Sequence, residues 1–160
     1  MLDIDAFKSF NDMKGHTQGD NAIRITAGTL RDVLRKNDVI CRYGGDEFSA
    51  IFPNSTPEEV VMVMERVKAA YRKQNLCYSD FDDSSCLTLS AGFSVFPVLA
   101  MDKDELVSQA DKALYYAKSL GGDRLEIFQE SFNATADAFD AVQSDHSYSC
   151  LLYTSPSPRD

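Results

Sequence analysis

Short β-favouring runs and stretches of helical period succeed one another along the chain. Residues 1–5 read as the end of a strand. Within residues 17–36, Ile23, Ala27, Leu30, Val33 and Leu34 recur at helical spacing. Residues 39–43 and 48–53 are short strand-like runs joined through Gly44-Gly45-Asp46-Glu47, a hairpin with its turn at the glycines. Thr56-Pro57-Glu58-Glu59 combines an N-cap, a proline at the first helical position and a capping-box glutamate. The helix that follows turns Val60, Val63, Met64, Val67 and Tyr71 inward. Residues 75–85 form a polar loop and 87–96 a strand. An amphipathic helix over 104–120 points Leu106, Val107, Ala110, Ala113, Leu114 and Ala117 at the core. Gly121 stands where a helix C-terminus favours positive φ, and 124–128 is the closing strand. This order predicts an α/β sandwich whose central, mostly antiparallel sheet is flanked by helices.

Composition narrows the function classes. The chain has 160 residues, 44% of them apolar, which suits one compact domain with a sizeable core. Its 16 Lys and Arg against 25 Asp and Glu give a net charge of −9. Such acidity argues against nucleic-acid binding through a broad basic face. No apolar run approaches the ~20 residues of a membrane span, and no basic-then-apolar leader follows Met1. Cys41, Cys77, Cys86 and Cys150 lack metal-ligand spacing. They read as buried or incidental thiols of a reducing compartment rather than a disulfide framework or zinc site.

The charge is unevenly spread. Residues 1–129, read as the folded domain, carry 15 basic and 20 acidic side chains, a net of −5. Residues 130–149 form an acidic tail, read as a weak helix or disordered segment. Residues 150–160, Cys-Leu-Leu-Tyr-Thr-Ser-Pro-Ser-Pro-Arg-Asp, resemble a translated sequencing adaptor and are set aside from fold reasoning.

Two carboxylate groups carry the candidate chemistry. Asp3 and Asp5 lie at a strand end, and Asp46-Glu47 in the hairpin turn. If those strands are neighbours, Asp3 and Asp46 converge as hard oxygen ligands of the kind Mg²⁺ or Mn²⁺ takes beside nucleotide phosphates. Acids at strand ends and turns are also ordinary surface residues. Gly44 and Gly45 favour the first reading, because no Cβ keeps a ligand from the backbone. Lys8 and the backbone N–H groups near Phe7 stand beside the same strand end, where phosphate would lie. Asn11 and Asp20 offer the groups needed to read a guanine edge. His16, in what reads as a loop of residues 16–20, is a ligand contact or a turn or capping residue, and the family resemblance set out below implies that it neighbours the guanine. Lys118 is a helix-dipole partner or a phosphate contact.

Arg42-Tyr43-Gly44-Gly45-Asp46-Glu47-Phe48 resembles the signature of the GGDEF family, the diguanylate cyclases. Three further blocks agree in order and spacing. They are Asp3-Ile4-Asp5-Ala6-Phe7-Lys8 with Asn11-Asp12, Gly15-His16 with Gly19-Asp20, and Ala110-Asp111-Lys112-Ala113-Leu114-Tyr115 with Ala117-Lys118 after Ser90-Ala91-Gly92. The resemblance implies that two GTP are joined into cyclic di-GMP by attack of each 3′-hydroxyl on the other α-phosphate, releasing two pyrophosphates across a homodimer. It implies metal ligation by Asp3, the Ile4 carbonyl and Asp46, with Glu47 close by. Asp46, or alternatively Glu47, would take the hydroxyl proton, and Lys8 and Lys118 would offset phosphate charge. Arg35 and Asp38, an RxxD element five residues before Gly44, with Arg66, resemble the family's inhibitory product site; the other reading of Arg35 and Asp38 is a solvated helix end.

The sequence also departs from the family pattern. No counterpart is found for the usual first helix and most of the first strand, so the expectation is a truncated domain once preceded by a sensor or receiver domain, in the cytoplasm. Gly122 stands where the family often has a second basic residue, with Arg124 as a partial substitute. Two rival readings remain: a GGDEF module that binds GTP or cyclic di-GMP without turning it over, and a different nucleotidyl cyclase or polymerase-palm enzyme.

Overall fold

The computed structural model describes residues 1–77 and 86–132. Its elements run β1 (Leu2–Ile4), α1 (Phe7–Lys14), α2 (His16–Val33), β2 (Val39–Gly44), β3 (Glu47–Ile51), α3 (Pro57–Arg72), β4 (Leu89–Phe93), α4 (Lys103–Ser119) and β5 (Leu125–Ile127). The strands form one sheet in the order β2-β3-β1-β4-β5. Three neighbouring pairs are antiparallel and β4–β5 is parallel, as the sequence predicts for a mostly antiparallel sheet.

Side-chain alternation on β1 divides the molecule. Leu2 and Ile4 point to one face, where they pack with Phe48, Leu89, and Leu30 and Met64 of α2 and α3. Asp3 points to the other face, which carries α4. That helix lies so close over β4 that a Cβ on Gly92 would collide with the backbone of Ala110 and Leu114.

Local signals are realised at α3. The Thr56 hydroxyl accepts from Glu59 N–H at 3.3 Å, the Glu59 carboxylate accepts from Thr56 N–H at 3.0 Å, and Pro57 opens the helix. The five apolar residues expected inside are buried. Along α4, Val107 departs from the expected inward set and is exposed. It borders a groove of about 920 Å³ shared with Met1, Tyr43, Ile51 and Phe93, which α4 leaves open.

Two corrections concern the N-terminal half. Residues 7–14 form a helix that the spacing does not announce, since Phe7 and Phe10 are its only large apolar residues besides Met13, which is exposed. Residues 16–20 are the opening turns of α2 and not a loop. Gly15, at φ +84°, ends one helix and begins the next, a conformation that favours glycine.

The cysteine reading also changes. Cys77 and Cys86 face each other across an isolated antiparallel bridge, Cα atoms 3.8 Å apart, and are joined as a disulfide. That pairing removes the cysteine argument for a reducing compartment. Cys41 is free and exposed, and Cys150 lies outside the described residues. At the other end, Phe132 is buried and stacks on Tyr116 with centroids 4.1 Å apart, so packing continues to that residue. The expectations for residues 133–149 and 150–160 lie outside the described residues.

Candidate functional site

Strand register brings the first carboxylates together. Asp3 of β1 pairs with Glu47 of β3, and Asp46 stands one residue earlier in the turn. Gly45 takes φ +44°, and its carbonyl accepts both Nε (3.0 Å) and Nη2 (2.7 Å) of Arg42. Arg42 thus holds the turn that presents Asp46 and Glu47. Nothing in the spacing of Arg42 reveals that role.

Asp3 is buried, and burial raises its carboxyl from 3.8 to about 6. Lys118 of α4 works against that shift, its Nζ 2.6 Å from Asp3 Oδ2, while the charges of Asp46 and Glu47 add to it. Among the described residues no three His, Cys, Asp or Glu side chains gather closely enough to hold a metal ion. The donor chemistry nevertheless fits one, for Asp3, Asp46, Glu47 and the Ile4 carbonyl are all hard oxygens at one sheet end. In this conformation the Lys118 ammonium is the charge paired with Asp3.

Beside this edge begins α1. Ala6 enters it with φ 58°, and no side chain caps the N–H groups of its first turn, from Phe7 onward. Lys8 is exposed on the same turn. Further along α1, Asn11 Oδ1 is buried without a hydrogen-bond partner among the described residues. It lies against Gly19 of α2, where any Cβ would collide with it. His16 and Asp20 are exposed on the opening turns of α2, on either side of this contact.

Other singled-out residues lie elsewhere. Asp5 does not join Asp3. Its carboxylate accepts from Thr88, Ser90 and the backbone of Asp123. Gly122 abuts Asp5, and Arg124 donates from Nε to the Gly122 carbonyl at 3.3 Å, which ties it to the turn. Arg35 and Asp38 close a small turn, with Asp38 Oδ2 accepting from Arg35 N–H at 2.8 Å. The Arg35 guanidinium is exposed, 3.9 Å from Glu59, and Arg66 is exposed on α3. Among the described residues no helix is long and apolar enough to cross a membrane.

Comparison with known proteins identifies the family. The family model "Diguanylate cyclase, GGDEF domain" matches residues 1–124. Diguanylate cyclase DgcP of Pseudomonas aeruginosa is 41% identical over 79% of this chain and 18% of its own length. Diguanylate cyclase DosC of Escherichia coli is 34% identical over 82% of this chain, which spans only 28% of DosC. The GGDEF domain of DgcB from Caulobacter crescentus, a crystal structure in complex with c-di-GMP, superposes with a TM-score of 0.69 at 34% identity, covering 79% of this chain and 74% of that one. Fold, motifs and relatives coincide, and the chain belongs to the GGDEF-domain diguanylate cyclase family.

Proposed function

We propose that this chain is a diguanylate cyclase catalytic domain that joins two GTP into cyclic di-GMP and releases two pyrophosphates. The observation that carries the reading is the Asp3–Glu47 register, with Asp46 in the adjoining glycine turn and Lys118 on Asp3. Each 3′-hydroxyl oxygen bonds to the α-phosphorus of the other nucleotide, and the bond from that phosphorus to the pyrophosphate oxygen breaks. The hydroxyl proton passes to Asp46, with Glu47 as the alternative acceptor. Lys8 and Lys118 offset the charge that builds on the phosphate oxygens. The uncapped start of α1 at Phe7 offers N–H groups to the same phosphates, and Gly44 and Gly45 let them approach. Asn11 and Asp20 select guanine, with His16 beside them. The buried, unpartnered oxygen of Asn11 supports this, since a base N–H would satisfy it. Asp3, the Ile4 carbonyl, Asp46 and Glu47 would hold Mg²⁺ or Mn²⁺, which when bound supplies further neutralisation of phosphate charge.

One domain holds one GTP, so the reaction takes two copies as a homodimer. Arg35, Asp38 and Arg66 bind the product as an inhibitor. The c-di-GMP complex of the DgcB domain supports product recognition in this family. The greater length of the relatives supports an upstream sensor or receiver domain, acting on this one in the cytoplasm where GTP is made.

The test is incubation with GTP and Mg²⁺ of the chain alone and joined to a family-type N-terminal helix and strand. Two pyrophosphates per cyclic di-GMP are expected. Tight GTP binding without product would replace the enzyme by a nucleotide-binding regulatory module.

A further inference from the structure

The mechanism above leaves Asp5 unused, although it follows Asp3 by only two residues. We propose that Asp5 is a positioning residue, whose carboxylate clamps the turn after α4 and so keeps Lys118 over Asp3. Its Oδ2 accepts from the Thr88 hydroxyl at 2.7 Å and from Asp123 N–H at 2.9 Å. Its Oδ1 accepts from the Ser90 hydroxyl at 2.7 Å. All three donors come from the protein, two from β4 or its approach and one from the turn.

The turn needs such a clamp. Gly121, Gly122 and Asp123 have φ of +102°, +74° and +52°, a run that is costly for the aspartate. Gly122 is pressed so near that a Cβ would stand 2.9 Å from Asp5 Oδ1. From this turn Gly121 N–H donates to the Lys118 carbonyl at 3.0 Å and Gly122 N–H to the Ala117 carbonyl at 3.1 Å. The clamped turn is therefore continuous with the helical turn that bears Lys118. On its far side, Asp123 pairs with Arg72, and with Lys68 at 3.8 Å, both from α3. Strand β1 and the residue after it thus fix the lysine twice: Asp3 takes its ammonium and Asp5 holds its helix end. The inference rests on the proposed role of Lys118 as a phosphate-binding cation.

Hydrogen-bond chemistry separates a clamp from a ligand for an ion. An asparagine at position 5 can accept from Thr88 and Asp123 with its oxygen and donate to Ser90, whose hydroxyl rotates to accept. The experiment is GTP titration calorimetry on the full chain carrying Asp5→Ala, Asp5→Asn, Lys118→Ala, and Asp5→Ala with Lys118→Ala. Asp5→Ala is expected to weaken GTP binding about tenfold, and less than about twofold once Lys118 is gone, because coupled residues are non-additive. Asp5→Asn is expected to stay within about twofold of the parent, since its hydrogen bonds survive. Equal losses with and without Lys118 overturn the inference. So does an Asp5→Asn as weak as Asp5→Ala, which would make charge the requirement. Should Asp5→Ala fail to fold, Thr88→Val removes one donor and replaces it in the cycle, with about threefold loss expected only when Lys118 is present. A parent chain that does not bind GTP overturns both this inference and the functional reading, whereas the other outcomes strike this inference alone.

Discussion

Position 19 has no side chain, and Asn11 fills the space. A methyl group at Gly19 would collide with Asn11 Oδ1, so Gly19→Ala must displace the amide read as the guanine contact. That variant is expected to keep its fold and lose roughly tenfold in GTP affinity, about 1.4 kcal/mol. Unaltered titration curves would detach Asn11 from the guanine. Asp3 yields a second prediction at this scale. Its folded-state carboxyl, near 6, lies above the ordinary 3.8 because of burial foremost, so the folded chain binds that proton more tightly than the unfolded one. The resulting stability is full below 3.8 and is lost as pH rises through about 6. In chelator, urea unfolding should show a decline on the order of 2–3 kcal/mol across that window. Asp3→Asn should remove the decline, and a parallel pH profile for the two proteins would refute the assignment. Asp3 and Asp46 are legible in the sequence because glycines and strand ends mark them. The separate duty of Asp5 is not, since its three donors come from 83 or more residues away.

Helix α3 was written in local code: the cap, the proline and the glutamate lie within four residues, and the apolar stripe follows at once. Local code also sets the hairpin, whose glycines fall between two β-favouring runs. Helix α1 escapes the same reading because its anchor is a single buried residue, Phe10, and its start is an alanine in the left-handed region. Tertiary contacts, not propensity, decide such a short helix. The seat of α4 is equally hidden. Gly92 looks like an ordinary glycine in a strand, but the helix backbone rests on its Cα face and a side-chain carbon there would meet Leu114 N and Ala110 O. Backbone cannot step aside as a flexible side chain does. Gly92→Ala is therefore expected to destabilise the domain by roughly 3 kcal/mol, at the upper end of overpacking costs. Thermal unfolding measures it, and a midpoint within a degree or so of the parent would mean that α4 is more loosely seated than described.

At the scale of the molecule, charge and chemistry pull against each other. The net of −5 over residues 1–129 disfavours the meeting of two copies, yet the proposed reaction needs two nucleotides held on facing domains. Association is therefore weak unless something else brings the copies together, and the dependence on concentration exposes this. With GTP saturating and protein dilute, the initial rate of cyclic di-GMP formation should rise with the square of protein concentration. It should become linear only where dimers dominate. Moderate salt should lower the concentration at which that happens, because screening over about 10 Å weakens like-charge repulsion. A rate linear in protein from the lowest concentration would mean that one domain completes the reaction, contrary to the proposed mechanism. The proposed product site would add a second control. Arg35 is exposed and engaged only loosely with Glu59, at 3.9 Å, so its guanidinium is available to a phosphate diester. Arg35→Ala should leave the initial rate unchanged and raise the final yield, because the late slowing that bound product imposes is removed. Progress curves that slow identically in parent and variant would place the inhibition, or its absence, elsewhere than at Arg35.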